Sequence, residues 1–135
     1  MVTDISVQTS ATWGAEDRSW TRGEHGFNAP TNAPLDYTLF IGSNFADGTV
    51  KSGCVMGKVT ATGKFGPYDP AATDGRNKAV GMLFNSFRIP TNKAQVGSDA
   101  ILTHFQCREQ RLPYKSGLGA LDTNARTALS LVIWA

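Results

Sequence analysis

Apolar residues in this chain alternate with polar ones over short stretches, and glycine or proline interrupts them before any stretch grows long. That rhythm predicts short β-strands. Asp36 to Ile41 (DYTLFI) reads as a strand closed by Gly42-Ser43-Asn44. From Thr49 to Phe65 (TVKSGCVMGKVTATGKF), β-branched and apolar residues are cut by Gly53, Gly57 and Gly63, which suits short strands with sharp bends or bulges. Ala79 to Ile89 is the strongest strand. Val80, Met82 and Phe84 share one face and Phe87 and Ile89 take the other parity, so a bend at Asn85-Ser86 would turn both sets inward. After the loop Pro90 to Ser98, Ile101, Thr103, Phe105 and Cys107 alternate with Leu102, His104 and Gln106. Asp122 is an N-cap for a short helix through Ala128. The closing LSLVIWA, 129–135, predicts a terminal strand buried in the domain or in an interface. Turn dipeptides at Asp47-Gly48, Gly66-Pro67, Asp69-Pro70 and Asp74-Gly75 complete a mainly β fold, about seven short bent strands with one short helix.

Residues 1–34 have a different texture. Thr, Ser, Asn, Ala and Gly dominate, and Gly14, Gly23, Gly26, Pro30 and Pro34 punctuate them. Trp13, Trp20 and Phe27 recur every seven residues, a spacing that also fits a helix stripe. No Leu or Ile lies between them, and glycine costs a helix ~1 kcal/mol per position. The prediction is an extended N-terminal arm, 1–34, carrying aromatic anchors, followed by a single β-rich domain, 35–135. Two uses of the aromatics stay open: they grip a partner, or they fold back onto their own core. If Thr3 to Gln8 is extended, Ile5 and Val7 would point to the same side.

Length and composition narrow the picture. A chain of 135 residues that is 41% hydrophobic makes one domain with a modest core, and oligomerisation is the common supplement to such a core. Thirteen Lys and Arg face 11 Asp and Glu with no basic run. The nearest cluster, Arg108, Arg111 and Lys115, is broken by Glu109 and Pro113, so no nucleic-acid partner is expected. No apolar stretch approaches the ~20 residues that span a bilayer, so no membrane partner is expected either. Met1 to Ser10 lacks the basic start and apolar run of an export signal. Cys54 and Cys107 are therefore expected as free, buried thiols of a protein made in a cytoplasm, although sequence alone leaves a bridge open.

Candidate chemistry adds little. The soft ligands are His25, His104, Cys54 and Cys107, and only His104 and Cys107 lie close in sequence, without the second pair a zinc site needs. No GxSxG elbow or GxxxxGK[ST] loop occurs, and GKVTATGK sits on a bent ribbon instead of at a helix start. Asp69 and Asp74 in YDPAATDG could act as an acid–base pair if desolvated, but Asp before Pro or Gly is more simply a turn former. No catalytic residue, cofactor or metal is expected. The expected class is a structural protein that binds other protein surfaces.

Two blocks carry a resemblance. GTVKSGCVMGKVTATGKFGPYDPAATDG at 48–75, followed by AVGML at 79–83, and ARTALSLVIWA at 125–135, resemble the head decoration proteins of tailed phages, the group typified by the lambda capsid-stabilising protein. The likeness covers about half of the expected domain and does not extend over Asn85 to Gly119. It implies a β-clip, or tulip-like, domain assembling as a homotrimer. Such trimers sit on the outer surface of the expanded head at three-fold and quasi-three-fold positions, and clamp the major capsid protein against internal DNA pressure. It also implies an arm that is loose in the free trimer and orders on the capsid; the arm with Trp13 and Trp20 does not itself match the family, and its contacts, Ile5, Val7, Trp13, Trp20 and Phe27, are expected from its own extended, aromatic-punctuated sequence. The same fold carries trimeric nucleotide hydrolases such as dUTPases, the alternative class. Tyr68-Asp69 is the only echo of those enzymes and their serine–glycine phosphate motif is missing, so a nucleotide hydrolysis assay separates the two. A carbohydrate-binding module stacking sugars on Trp13 and Trp20 is less favoured, because aromatics on an extended arm are not preorganised.

Overall fold

The glycine-punctuated runs become nine short strands and one α-helix in the computed structural model, which describes residues 16–134. The strands are β1 (Thr31–Leu35), β2 (Thr49–Val50), β3 (Val55–Lys58), β4 (Phe65–Pro67), β5 (Ala79–Leu83), β6 (Phe87–Arg88), β7 (Gly97–Leu102), β8 (Gln106–Cys107) and β9 (Ile133–Trp134), and α1 covers Thr123–Ala128. Five of them close a barrel in the order β1-β4-β3-β5-β7, with β7 pairing antiparallel to β1 along all five residues of β1. β1 and β4 meet in parallel at Leu35 and Phe65, and the remaining barrel pairs are antiparallel. β2 and β6 form a two-stranded ribbon, and β8 and β9 a parallel pair.

Apolar side chains fill two layers separated by the barrel wall. Leu35, Met56, Phe65, Leu83 and Ile101, one from each barrel strand, belong to one buried cluster, the barrel interior. Their sequence neighbours Val55, Met82 and Leu102 belong to the other. β3, β5 and the Ile101-Leu102 end of β7 are thus buried on both faces, and there the sequence reads as short apolar runs (Val55-Met56, Met82-Leu83, Ile101-Leu102) instead of alternating. A register shift between Met56 and Gly57, opposite Ala79 to Gly81, marks a bulge that reverses which face later residues take. Gly57 is needed there, because a Cβ would stand 2.7 Å from the Arg76 Cα.

The outer face of β3, β5 and β7 is covered by Ala125 and Leu129 of α1 and its exit, by Val132, and by Trp20, Phe105, Cys107 and Leu112. Asp122 caps α1 as expected, its carboxylate accepting from the Ala125 N–H at 2.8 Å. The bend at Asn85-Ser86 is also found. β5 ends at Leu83, Phe84 packs on the outer layer, and Phe87 and Ile89 pack on the barrel interior.

Other expectations are corrected. Asp36 to Ile41 is not a strand: Tyr37–Leu39 is a single 3-10 turn, because the Asp36 carboxylate accepts from the Thr38 N–H and O–H and turns the chain. The strand lies just before it, in Thr31–Leu35, made by pairing with β7 and not by propensity. The division at 34/35 therefore does not separate the described residues, since β1 closes the barrel and Trp20 is 1% exposed. Pro90 to Ser98 yields its last two residues to β7, and among the described residues of the closing apolar segment only Ile133–Trp134 is strand. Leu129 and Val132 are buried there while Leu131 and Ile133 face solvent.

If Trp20 is a core residue, Trp20→Ala should destabilise the folded chain by about 3–5 kcal/mol. Denaturant unfolding with an unchanged slope and a lowered midpoint is the expected result; a loss under about 1 kcal/mol would show a surface position.

Candidate interaction surface

The described part of the N-terminal segment is stitched to the domain. The Trp20 ring packs edge-on against Phe105 at 5.3 Å, and its indole N–H donates to Ser52 Oγ at 3.1 Å. Ser52, the one buried polar residue among those described, donates in turn to the Phe84 carbonyl at 2.6 Å, so the indole is fully satisfied inside the outer layer. The Arg108 N–H donates to the Trp20 carbonyl at 2.6 Å, and Thr21 bridges to Cys107. Arg18 lies over the Phe84 ring at 4.1 Å, donates to the Phe84 carbonyl at 3.0 Å, pairs with Glu16 at 2.9 Å and also donates to Asn85 Oδ1. Glu16 accepts from the Ser86 N–H, and Asn85 donates to Asp99 at 3.1 Å.

Of the residues expected to bind a partner, Trp20 is therefore enclosed and Phe27 is half-buried against Phe84, with ring centroids 4.9 Å apart. Ile5, Val7 and Trp13 lie outside the described residues. Sequence reading missed Ser52 and Arg18. Ser52 sits in an unremarkable KSGC turn with no local signal; the hint for Arg18 and Trp20 was a large aromatic beside a cation in an otherwise small-residue segment.

The groups with candidate chemistry are occupied structurally. Asp69 accepts from the Ala71 N–H at 3.0 Å, and Asp74 accepts from the Arg76 N–H and pairs with its guanidinium at 3.0 Å, the turn roles expected of them. Tyr68 is buried and donates to both Asp122 oxygens, at 2.9 and 3.0 Å. Burial, then the Asp122 carboxylate, pushes its phenol up to about 12. Asp69, Lys115, Leu118 and Asp122 line a shallow cleft of about 370 Å³. Cys54 lies in the barrel interior and Cys107 in the outer layer, both as free thiols. Burial raises the thiol of Cys54 and pushes that of Cys107 up to about 12, so neither is a ready nucleophile. His104 is not alone: its Nε2 lies 3.0 Å from that of His25. Large apolar side chains reach solvent at Ile41, Val96, Leu131 and Ile133.

The fold and these surfaces define a small β-barrel whose polar groups hold turns, caps and its own N-terminal segment in place. Residues 42–128, well over half of the chain, match the family of the bacteriophage lambda head decoration protein D, and the chain belongs to that family. A search of curated proteins found no match, and neither did a search of solved structures. Membership makes the chain a structural, head-decorating protein associated with the phage capsid. The match runs from just before β2 to the last residue of α1, so β1, Trp20 and β9 lie outside it.

Asp99 gives a pH test of the network beside the segment's entry. Burial raises its carboxyl above the ordinary 3.8, outweighing the bonds it accepts from the Ala100 N–H and Asn85. The folded state then holds a proton that the unfolded state has released, so stability falls as pH rises from 3.8 through the raised value. Asp99→Asn should gain on the wild type across that window in denaturant midpoints taken at a series of pH values. A difference that is constant with pH, or that grows as pH falls, would contradict the assignment.

Proposed function

We propose that this chain is a homotrimeric cementing protein of a tailed-phage head. It binds the outer surface of the expanded capsid at three-fold and quasi-three-fold positions and braces neighbouring major capsid subunits against the pressure of packaged DNA. The family match carries this reading. Short strands and the bulge between β3 and β5 are compatible with the β-clip description. A three-fold ring of heterologous contacts closes on itself and gives the exposed Ile41, Val96, Leu131 and Ile133 a surface to cover.

Capsid attachment is assigned to the residues ahead of the stitched segment. Trp20 is committed to the core, so the arm is shortened to residues 1–15, with Ile5, Val7 and Trp13 as its apolar contacts. An extended Thr3 to Gln8 pairs with a strand edge of the capsid through main-chain hydrogen bonds, while Ile5 and Val7 fill pockets on one side. Trp13 supplies the larger anchor. Three arms engaging together turn modest single-arm affinity into avidity of 10²-fold or more, about the range expected for linked sites.

Deleting residues 2–15 should leave the trimer mass by light scattering and the thermal midpoint close to those of the full chain. It should abolish co-sedimentation with expanded, undecorated heads. Undiminished binding by the truncated chain would remove the arm from the mechanism, and a monomeric mass of the full chain would remove the trimer.

A further inference from the structure

We propose that His25 and His104 form a two-imidazole binding site for a divalent transition-metal ion, with water completing the coordination, and that the bound ion clips the N-terminal segment to the barrel. The two Nε2 atoms stand 3.0 Å apart, with ring centroids 4.4 Å apart and planes at 85°. Two nitrogens bound at a right angle to one ion, each at ~2.1 Å, are separated by about 3.0 Å, whereas a tetrahedral angle spreads them to about 3.4 Å. The spacing therefore suits the square-planar or tetragonal preference of Cu²⁺ or Ni²⁺ better than tetrahedral Zn²⁺. Both rings then carry their proton on Nδ1 and direct the Nε2 lone pair at the ion.

The backbone holds the pair ready. On one side, Arg22 N–H donates to the Gln106 carbonyl at 2.9 Å, Phe27 N–H closes a turn on the Glu24 carbonyl at 3.1 Å, and the Phe27 ring packs on Phe84. Gly26, at φ +84, presses directly on the His104 carbonyl, where any Cβ would collide with that oxygen. On the other side, His104 precedes buried Phe105, whose carbonyl accepts from the Ile133 N–H at 2.9 Å. Ligands fixed by their own backbones lose little freedom on binding. Both residues are exposed, so an ion and its water have access. Among the described residues no third His, Cys, Asp or Glu gathers around them, which leaves the other positions to solvent.

The ligands are 79 residues apart in sequence, so an ion held by both exists only on the folded chain and stabilises it in proportion to the logarithm of its concentration. Metal binding at this pair does not depend on capsid binding.

The test uses the full chain, titrated calorimetrically with NiCl₂ and with CuCl₂ and followed by thermal melts. One ion per chain is expected, with a Tm that climbs as ion concentration rises. His25→Ala and His104→Ala should each abolish both effects, and the double variant should be no weaker than either single one. His25→Ala should melt near the wild type without metal, which separates lost ligation from lost folding. Absence of saturable binding, or binding and stabilisation that survive His25→Ala, would overturn the site.

Discussion

The position of the Trp20 indole governs how the molecule is put together. A five-stranded barrel fills its own interior, but three of its strands present a second apolar face outward. Helix α1 spans only six residues and covers part of that face. Trp20 supplies the largest of the remaining fully buried side chains, and Ser52 lets its N–H enter without an unpaired donor. The cost of drawing the preceding chain across the barrel is offset by that burial, and the Arg18, Glu16 and Asn85 contacts then fix its direction.

The aspartates singled out for chemistry are engaged structurally among the described residues. Asp36, Asp69 and Asp74 shape turns, Asp122 serves at once as helix cap and as acceptor for Tyr68, and each is engaged at hydrogen-bonding distance. Local bonds of this kind let glycine-rich connections hold one geometry. The family match covers β2 to α1 and leaves outside it both β1, which closes the barrel, and the segment ahead of it.

Much of the barrel was legible because bulges and bends follow glycine and parity: the interruption at Gly57, the reversal after Asn85-Ser86 and the Asp122 cap all lie where the pattern puts them. The missed elements share a cause. β1 (TNAPL) carries a proline and an asparagine and exists only because β7 pairs with it, and Asp36 bends the more strand-like residues that follow. Trp20 and Phe27 sit among small polar residues, and what recruits them is the outer face of distant strands, which no local window contains. The meeting of His25 and His104 is equally non-local.

The central claim, that this barrel cements a capsid lattice, is tested most directly by electron cryomicroscopy of expanded heads from the cognate phage, lacking their decoration and incubated with the purified chain. The account predicts added density on the outer surface at three-fold and quasi-three-fold positions, three barrels to each, with a strand-like extension from each barrel onto a neighbouring capsid subunit. Density confined to other positions, or heads that remain bare at saturating protein, would contradict it.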